Sequence, residues 1–190
     1  MPTSPAQPAG SRERMLEATI ALLRAGGLSA AGINDIVRAS DAPKGSVYHH
    51  FPGGKLQIAG EALEAYAERV RGFIGQALAS RQAAPDKVRA LFEAFAGRVA
   101  EGGFQRSCAV GTVSLDLDGD TAPLRTVLAD ALAGWQAEIA GHFDLGSAAR
   151  TRAYAGLLLT AIEGAYVRSR AEASPQPFRE AGAWLATLVD

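Results

Sequence analysis

The stretch that decides the fold of the N-terminal part of this chain is GINDIVRASDAPKGSVYHHFPGGK, residues 32–55. Apolar residues recur at helical spacing over Ile33–Ser40 and predict a helix of two turns. Pro43 pushes the residue before it out of the helical region, so this helix must end by Ala42. Because proline is well tolerated at the first position of a helix, another short helix is predicted over Pro43–His49. Two short helices joined by a tight turn are therefore expected.

A longer helix is expected ahead of this pair. Apolar positions keep one face over Ser11–Ala25, Ser11 suits the N-cap position, and Gly26-Gly27 ends the helix. Two short helices packed on a third make a helix-turn-helix. The helix over Pro43–His49 carries one large aliphatic residue, Val47, and otherwise mostly small or polar groups. Such a slim, polar helix suits the major groove of DNA better than a protein core.

The segment APKGSVYHHFPGGK, residues 42–55, resembles the DNA-binding segment of the TetR family of repressors, in particular its LmrA/YxaF-like branch. The similarity covers about residues 11–65, and the segment SCAVGTVSLDL, residues 107–117, also resembles that branch. The resemblance implies an all-α fold in which an N-terminal three-helix helix-turn-helix DNA-binding domain precedes a C-terminal helical domain for ligand binding and dimerisation. It also implies a dimeric repressor that a hydrophobic small molecule releases from a palindromic operator.

The remainder of the chain is predicted to be helical. The helices predicted there span Lys55–Ala79, Pro85–Ala100, Ala122–Phe143, Ser147–Ala171 and Phe178–Val189. The segment Cys108–Leu117 fits either a buried strand or a small-residue helix, and its place between helices favours a helix. We expect three parts, which are a disordered arm at residues 1–10, the helix-turn-helix domain at 11–55, and the ligand-binding and dimerisation domain at 56–190.

The resemblance implies roles in DNA binding for residues of the helix-turn-helix. These residues are Gly32, Lys44, Gly45, Ser46, Tyr48, His49 and Lys55. The first residues of the recognition helix would lead it into the groove, and Tyr48 and His49 would contact phosphates or bases. Lys55 would hold a backbone phosphate at the start of the next helix, where free amides and the helix dipole favour an anion. Many family members have Ser or Thr where Gly32 stands, so here only a backbone amide is offered.

Three residues of this segment have other interpretations. Alternatively, Tyr48 would pack its ring in the core and expose only its hydroxyl to solvent. His50 is as well explained by a solvated or structural role as by a DNA contact. A metal site at His49 and His50 is disfavoured, because no third ligand lies nearby and adjacent residues of a helix point in different directions. Phe51 is expected in the core.

The C-terminal domain is rich in aromatic residues, which favours an apolar pocket in its helical bundle. The ligand-binding candidates are Phe92, Phe95, Cys108, Trp135 and Glu163. Cys108 is the only cysteine, so no internal disulfide is expected. A small buried apolar role for Cys108 is preferred to a redox switch.

Dimerisation is expected because one short recognition helix makes too few base contacts for specific binding. The last two helices carry apolar stripes that suit a four-helix interface between two subunits, an arrangement that the resemblance also implies. The interface candidates are Tyr154, Leu158, Ile162, Ala165, Trp184 and Leu188. The alternative is that both stripes face their own core, because stripe width does not separate a core from an interface.

Charge and motifs restrict the class of function. Residues 11–55 hold six basic and four acidic side chains, whereas the rest of the chain is net acidic, as expected of a DNA-binding head on an acidic body. No apolar run approaches the roughly 20 residues of a membrane span, so we expect a cytoplasmic protein without a membrane partner. Neither a glycine-rich phosphate loop, a nucleophile elbow nor a metal-spaced cluster is present, so neither an enzyme nor a cofactor is expected. The remaining alternative is a small-molecule-binding helical module without specific DNA binding.

Overall fold

The computed structural model describes residues 10–79 and 83–189, except for the side chain of Lys44. The arm expected at residues 1–10 lies outside the described residues apart from Gly10. Within this part of the chain the regular structure is entirely helical, as predicted. The α-helices are α1 (Ser11–Ala30), α2 (Ile33–Ser40), α3 (Lys44–His50), α4 (Gly54–Ala79), α5 (Ala84–Glu101), α6 (Ala109–Leu115), α7 (Arg125–Ala140), α8 (Ala148–Glu172) and α9 (Gln176–Ala186).

Helix α1 is bent at the glycine pair that was predicted to end it. Gly26 and Gly27 have non-helical torsions, with φ −158° at Gly26 and φ 66°, ψ −157° at Gly27, and one further turn follows to Ala30. The torsions of Gly27 lie in a region open essentially to glycine alone. The predicted N-cap was wrong by one residue, because Gly10 occupies that position and its amide donates to the Glu13 carboxylate at 3.2 Å.

The turn between α2 and α3 lies where it was predicted but is one residue longer, because it includes Pro43 as well as Asp41 and Ala42. Asp41 ends α2 in the left-handed region with φ 49°, and Pro43 is the N-cap of α3. Helix α3 therefore begins at Lys44, one residue after the predicted start. One small cluster holds this head together, and its buried members are Met15, Ile36, Ala42, Val47, Phe51 and Ile58.

Helices α4–α9 form a larger body around a separate apolar cluster. Helix α4 joins the two clusters, because Ile58 packs in the head whereas Ala59 and Leu63 pack in the body. The segment after Cys108 forms a helix, which confirms the preference for helix over strand. The predicted helix Ala122–Phe143 is instead a 3-10 turn, Ala122–Leu124, followed by α7, and a 3-10 turn over Thr187–Val189 likewise follows α9.

Candidate DNA-binding head and ligand-binding body

Helix α3 is fixed on one side and free on the other. Val47 and Phe51 are fully buried, whereas Tyr48 is 59% exposed. His49 and Gly45 are also exposed, and an added Cβ at Gly45 would meet nothing within 4 Å. The alternative that Tyr48 is a core residue is therefore wrong. The exposed side of α3 is narrow because Gly45 leaves the helix surface bare, so a groove wall can approach its backbone closely.

The other predicted DNA-binding residues flank this surface. Ser46 is half-buried, and its hydroxyl donates to the Pro43 carbonyl oxygen at 2.6 Å, so its oxygen is still able to accept a hydrogen bond. Lys55 is the second residue of α4, after a left-handed Gly54 with φ 66°. Gly32 is the N-cap of α2, without a side-chain cap. Lys44 opens α3, and its side chain lies outside the described part of the chain.

The two histidines of α3 lie against each other rather than around a shared site. Their ring centroids are 5.0 Å apart in an edge-on arrangement, and His50 also meets the ring of Phe51 edge-on at 6.3 Å. No group of three or more His, Cys, Asp or Glu side chains in the described residues is placed to hold a metal ion. The geometry gives His50 a packing role and leaves His49 exposed.

Arginines near the head make intramolecular contacts. Arg12 pairs with Glu61 of α4 and lies 5.2 Å from the centre of the Phe51 ring. Arg14 donates from Nε to the Ser40 carbonyl oxygen at 3.1 Å. These bonds fasten α1 to α2 and α4 and help to fix the arrangement of these three helices.

Four of the five predicted ligand-binding residues belong to the packed core. Phe92, Phe95, Cys108 and Trp135 are at most 2% exposed. Trp135 donates from its indole to the Ala67 carbonyl oxygen at 2.8 Å, and Phe95 stacks on Phe178 with centroids 6.0 Å apart. These four side chains fill the body cluster, and their role in ligand binding stays a prediction.

Glu163, the fifth candidate, lines an apolar cleft of about 740 Å³ between α6, α7 and α8. Leu115, Leu132 and Val167 supply large apolar side chains to this cleft, and Leu115 and Val167 are strongly exposed. The sequence analysis missed these three residues. Their signal was weak, because an apolar residue at helical spacing is assigned to a core before it is assigned to a cleft.

A buried polar pair lies at the edge of the apolar cleft. Cys108 is the N-cap of α6 and accepts from the Gly111 amide at 3.5 Å, and its thiol lies near the Glu163 carboxyl. Burial raises the pKa of Glu163 above its ordinary value, and burial together with the nearby Glu163 raises the pKa of Cys108 well above its own. A buried thiol with a raised pKa is a poor nucleophile, which favours the small-residue role over the redox switch.

The predicted dimer interface divides into a buried and an exposed part. Tyr154, Leu158, Ile162 and Ala165 of α8 are at most 8% exposed in the single subunit. Their stripe faces the subunit's own core, so the prediction that it forms an interface is corrected in favour of the alternative.

Several large apolar side chains of α8 and of the C-terminal end of the chain are exposed in the single subunit. Trp184 is 77% and Leu188 is 55% exposed, and Leu157 and Val167 of α8 are exposed as well. We call these four residues the apolar face. Arg168 of α8 lies 3.6 Å from Glu180 of α9 and ties the two helices together.

Helix α6 and the loop before it are bonded to the C-terminal part of α1. The Ser107 amide donates to the Arg24 carbonyl oxygen at 2.8 Å, and Arg24 Nε donates back to the Ser107 carbonyl oxygen at 3.0 Å. Thr112 Oγ1 donates to the Leu23 carbonyl oxygen at 2.8 Å. The body is therefore joined to α1 just before its bend.

Asp116 makes the corresponding bond after the bend. Its Oδ2 atom accepts from the Leu28 amide at 2.6 Å. A Cβ added at Gly27 would lie 2.1 Å from that same oxygen, so glycine is required there by contact as well as by torsion. The bend of α1 and the end of α6 thus fit each other closely.

In comparisons with known proteins, each half of the chain matches a protein-family model. Residues 15–62 match the model of bacterial regulatory proteins of the tetR family, and residues 84–183 match that of the LmrA/YxaF-like transcriptional regulator C-terminal domain. An uncharacterized HTH-type transcriptional regulator of Mycobacterium tuberculosis is 30% identical over 168 residues, which cover 85% of this chain and 84% of that protein. In the described residues, no helix is long and apolar enough to cross a membrane.

Solved structures share the fold over nearly the whole chain. The regulatory protein TetR from Rhodobacter sphaeroides superposes with a TM-score of 0.81 at 25% identity, covering 93% of this chain and 97% of that one. A cysteine-substituted CifR, a TetR family transcriptional regulator complexed with a 26 bp operator duplex, gives a TM-score of 0.82 at 16% identity, covering 97% of this chain and 99% of that one.

Proposed function

Because the chain belongs to the TetR family of transcriptional regulators, we propose that it is a dimeric repressor that a small hydrophobic molecule releases from a palindromic operator. The observation that carries this proposal is the surface of α3. Its buried side is anchored by Val47 and Phe51, and its free side presents Gly45, Tyr48 and His49 without a protein neighbour covering them. A short helix held in this way is suited to insertion into a major groove.

Phosphate contacts set the position of such a helix, and base contacts set its specificity. Lys55 and the backbone amide of Gly32 lie at helix starts on either side of α3, where an anion is favoured. Tyr48 and His49 are the side chains available to bases or further phosphates. The operator complex of CifR, which shares this fold, supports the proposal that double-stranded DNA is the partner.

Specific binding to DNA needs two DNA-binding heads, and the apolar face is the proposed surface through which two subunits pair. Trp184 and Leu188 of α9 lie exposed in the single subunit, with Leu157 and Val167 on α8. Two-fold pairing of α8 and α9 would bury the apolar face in an isologous four-helix contact. Half-sites about one helical turn or a multiple apart are then expected.

The apolar cleft is the proposed site of the hydrophobic ligand. It is bounded by α6, which is bonded to α1 through Thr112 and Asp116. A ligand acts on DNA affinity only by favouring one of two arrangements of the protein. An apolar molecule that displaces α6 would favour a different arrangement, because the C-terminal end of α1 is hydrogen-bonded to α6 and would move with it.

The direct test is selection of duplexes from a random pool, followed by titration of the recovered sequence. We expect a preference for a pseudo-palindrome, and Lys55→Ala should weaken binding to all sequences alike and reduce the salt slope by about one unit. Arg89→Ala, which removes a cation from α5 in the body, is the control and should change neither. The titration is repeated with apolar compounds to detect release.

Absence of any preference over random DNA at physiological salt would refute the repressor assignment. Ligand binding in that case would favour the alternative, a helical small-molecule-binding module. A compound that binds tightly without changing operator affinity would refute the coupling between ligand and DNA binding, but it would not refute the apolar cleft as a ligand site.

A further inference from the structure

A second cleft lies where α1 packs against the body, and its lining is strongly cationic. It has a volume of about 220 Å³ and lies between α1, α4, α5, the loop before α6, and α8. Arg24, Arg69, Arg98 and Arg106 line it, and Glu17 is its only acidic residue among those described. We infer that this arginine cleft binds a small organic carboxylate. The inference adds a site to the proposed function, whose hydrophobic ligand occupies a different cleft.

Three of the four guanidinium groups lack a carboxylate partner in the described residues. Arg69 is fully engaged, because it makes a bidentate ion pair with Glu17. Arg24 instead donates to a backbone carbonyl and lies 5.7 Å from the centre of the Tyr66 ring. Arg98 packs its guanidinium 4.1 Å from the centre of the Phe73 ring, and Arg106 has no ion pair. Uncompensated positive charge is thus gathered around one small space.

Two phenols complete the polar lining. Tyr66 and Tyr166 are 7% and 4% exposed, and neither hydroxyl has a hydrogen-bond partner among the described residues. Burial raises the pKa of both tyrosines well above its ordinary value, although Arg24 near both phenols and Arg98 near Tyr166 act in the opposite direction. The hydroxyls are therefore neutral at physiological pH and available as donors. Both tyrosines line the cleft, so an anion bound there would be able to accept hydrogen bonds from their hydroxyls.

The size and walls of the arginine cleft select among anions. Ile20, Val70 and the tyrosine rings supply apolar surface beside the arginines. A carboxylate accepts two parallel hydrogen bonds from a guanidinium, and the apolar walls accommodate a short hydrocarbon or aromatic body. These features favour a monocarboxylate of about the size of benzoate over inorganic phosphate.

Binding should be measured by calorimetry on the full chain without DNA. Benzoate, its neutral isostere benzamide, and inorganic phosphate are the probes. We expect benzoate to bind more tightly than both others, and Arg98→Gln or Arg106→Gln to weaken it by about tenfold or more, the effect of losing a charged hydrogen bond. Arg71→Gln is the matched control, because Arg71 lies on α4 outside the cleft and pairs with Glu68. Arg106 lies in a loop, so its substitution leaves the helical fold intact, which circular dichroism will verify.

Equal binding of benzoate and benzamide would overturn the inference, since charge would then play no part. An unchanged benzoate affinity in both Arg98→Gln and Arg106→Gln, or an equal loss in Arg71→Gln, would overturn the location. Tighter binding of phosphate than of benzoate, or no binding of benzoate at millimolar concentration, would overturn the assigned class. None of these results depends on operator binding, so they are distinct from a failure of the repressor assignment.

Discussion

Substitutions at Gly27 and Asp116 should be strongly non-additive, because the two residues share one contact. Gly27→Ala places a Cβ 2.1 Å from Asp116 Oδ2 and also forces alanine into torsions open essentially to glycine. Asp116→Ala removes the acceptor of the Leu28 amide, which is bonded at 2.6 Å. In the double variant the added methyl group meets no carboxylate, so only the torsional strain and the lost hydrogen bond remain.

The size of the effect follows from these two terms. The torsional strain at residue 27 costs about 1–3 kcal/mol. Loss of a hydrogen bond to a charged group costs about 1.5–3 kcal/mol. Gly27→Ala incurs both costs, because the carboxylate must leave the Leu28 amide to make room. Asp116→Ala incurs the second alone, and the double variant incurs each once. The sum of the single effects should therefore exceed the double effect by about 2 kcal/mol, which is well above ordinary additivity error.

Urea unfolding followed by circular dichroism gives the four free energies of this cycle. All four proteins must be measured at one protomer concentration, since dimerisation makes stability concentration-dependent. Gly97→Ala is a suitable control, because an added Cβ there meets nothing within 4 Å and Asp116 is not involved. Additive effects of Gly27→Ala and Asp116→Ala, within about 0.5 kcal/mol, would refute the contact between the bend of α1 and the end of α6.

Two further predictions concern the interface and the buried carboxyl. Trp184→Arg should give a folded monomer in sedimentation at micromolar concentration, because a two-fold contact would bury an unpaired charge. Tyr48→Arg changes another exposed aromatic residue, on the head, and should leave the dimer intact. A dimeric Trp184→Arg protein would refute the apolar face as interface. Burial raises the pKa of Glu163 above 4.5, so the folded state holds its proton more tightly, and the contribution of Glu163 to stability falls as pH rises from about 4.5 through the folded pKa. Glu163→Gln should remove that fall in thermal melts across pH, Glu64→Gln on the exposed side of α4 should not, and parallel curves for wild type and Glu163→Gln would contradict the burial argument.

The head was predictable because its signals are local. Pro43 and the glycine pair at 26–27 restrict backbone torsions regardless of what packs around them, so the turn and the bend fell within a residue of their predicted places. The N-cap of α1 and the end of α7 were missed, since capping and fraying depend on single contacts. Helix α6 was ambiguous from periodicity alone, and its neighbours decided it.

The body sites were less predictable because they depend on which helix face meets which neighbour. Ile162 and Trp184 both lie on apolar stripes, yet Ile162 is buried in its own subunit and Trp184 is exposed. Aromatic residues such as Phe92 were taken as pocket walls, but large rings are the pieces that fill a core most completely. The actual apolar cleft is lined by Leu115 and Val167, which no periodic pattern separates from core residues. Only three-dimensional packing makes that distinction.

Helix α1 lines the arginine cleft itself and is hydrogen-bonded to α6, which lines the apolar cleft. Every hydrogen bond described here between α1 and the segment 107–116 falls on Leu23–Leu28. The straight part of α1, from Ser11 to Ala25, is about 22 Å long at the usual rise of a helix and ends in the head, where Met15 is fully buried. If the part of α1 near residues 23–28 rotates slightly, the N-terminal end of α1 is displaced. The head cluster, which includes Met15 of α1, would move with it. In the proposed dimer, a ligand in the apolar cleft would act on α1 through α6, and a ligand in the arginine cleft would act on it directly through Arg24. Either ligand would then have a physical route to the spacing of the two α3 helices.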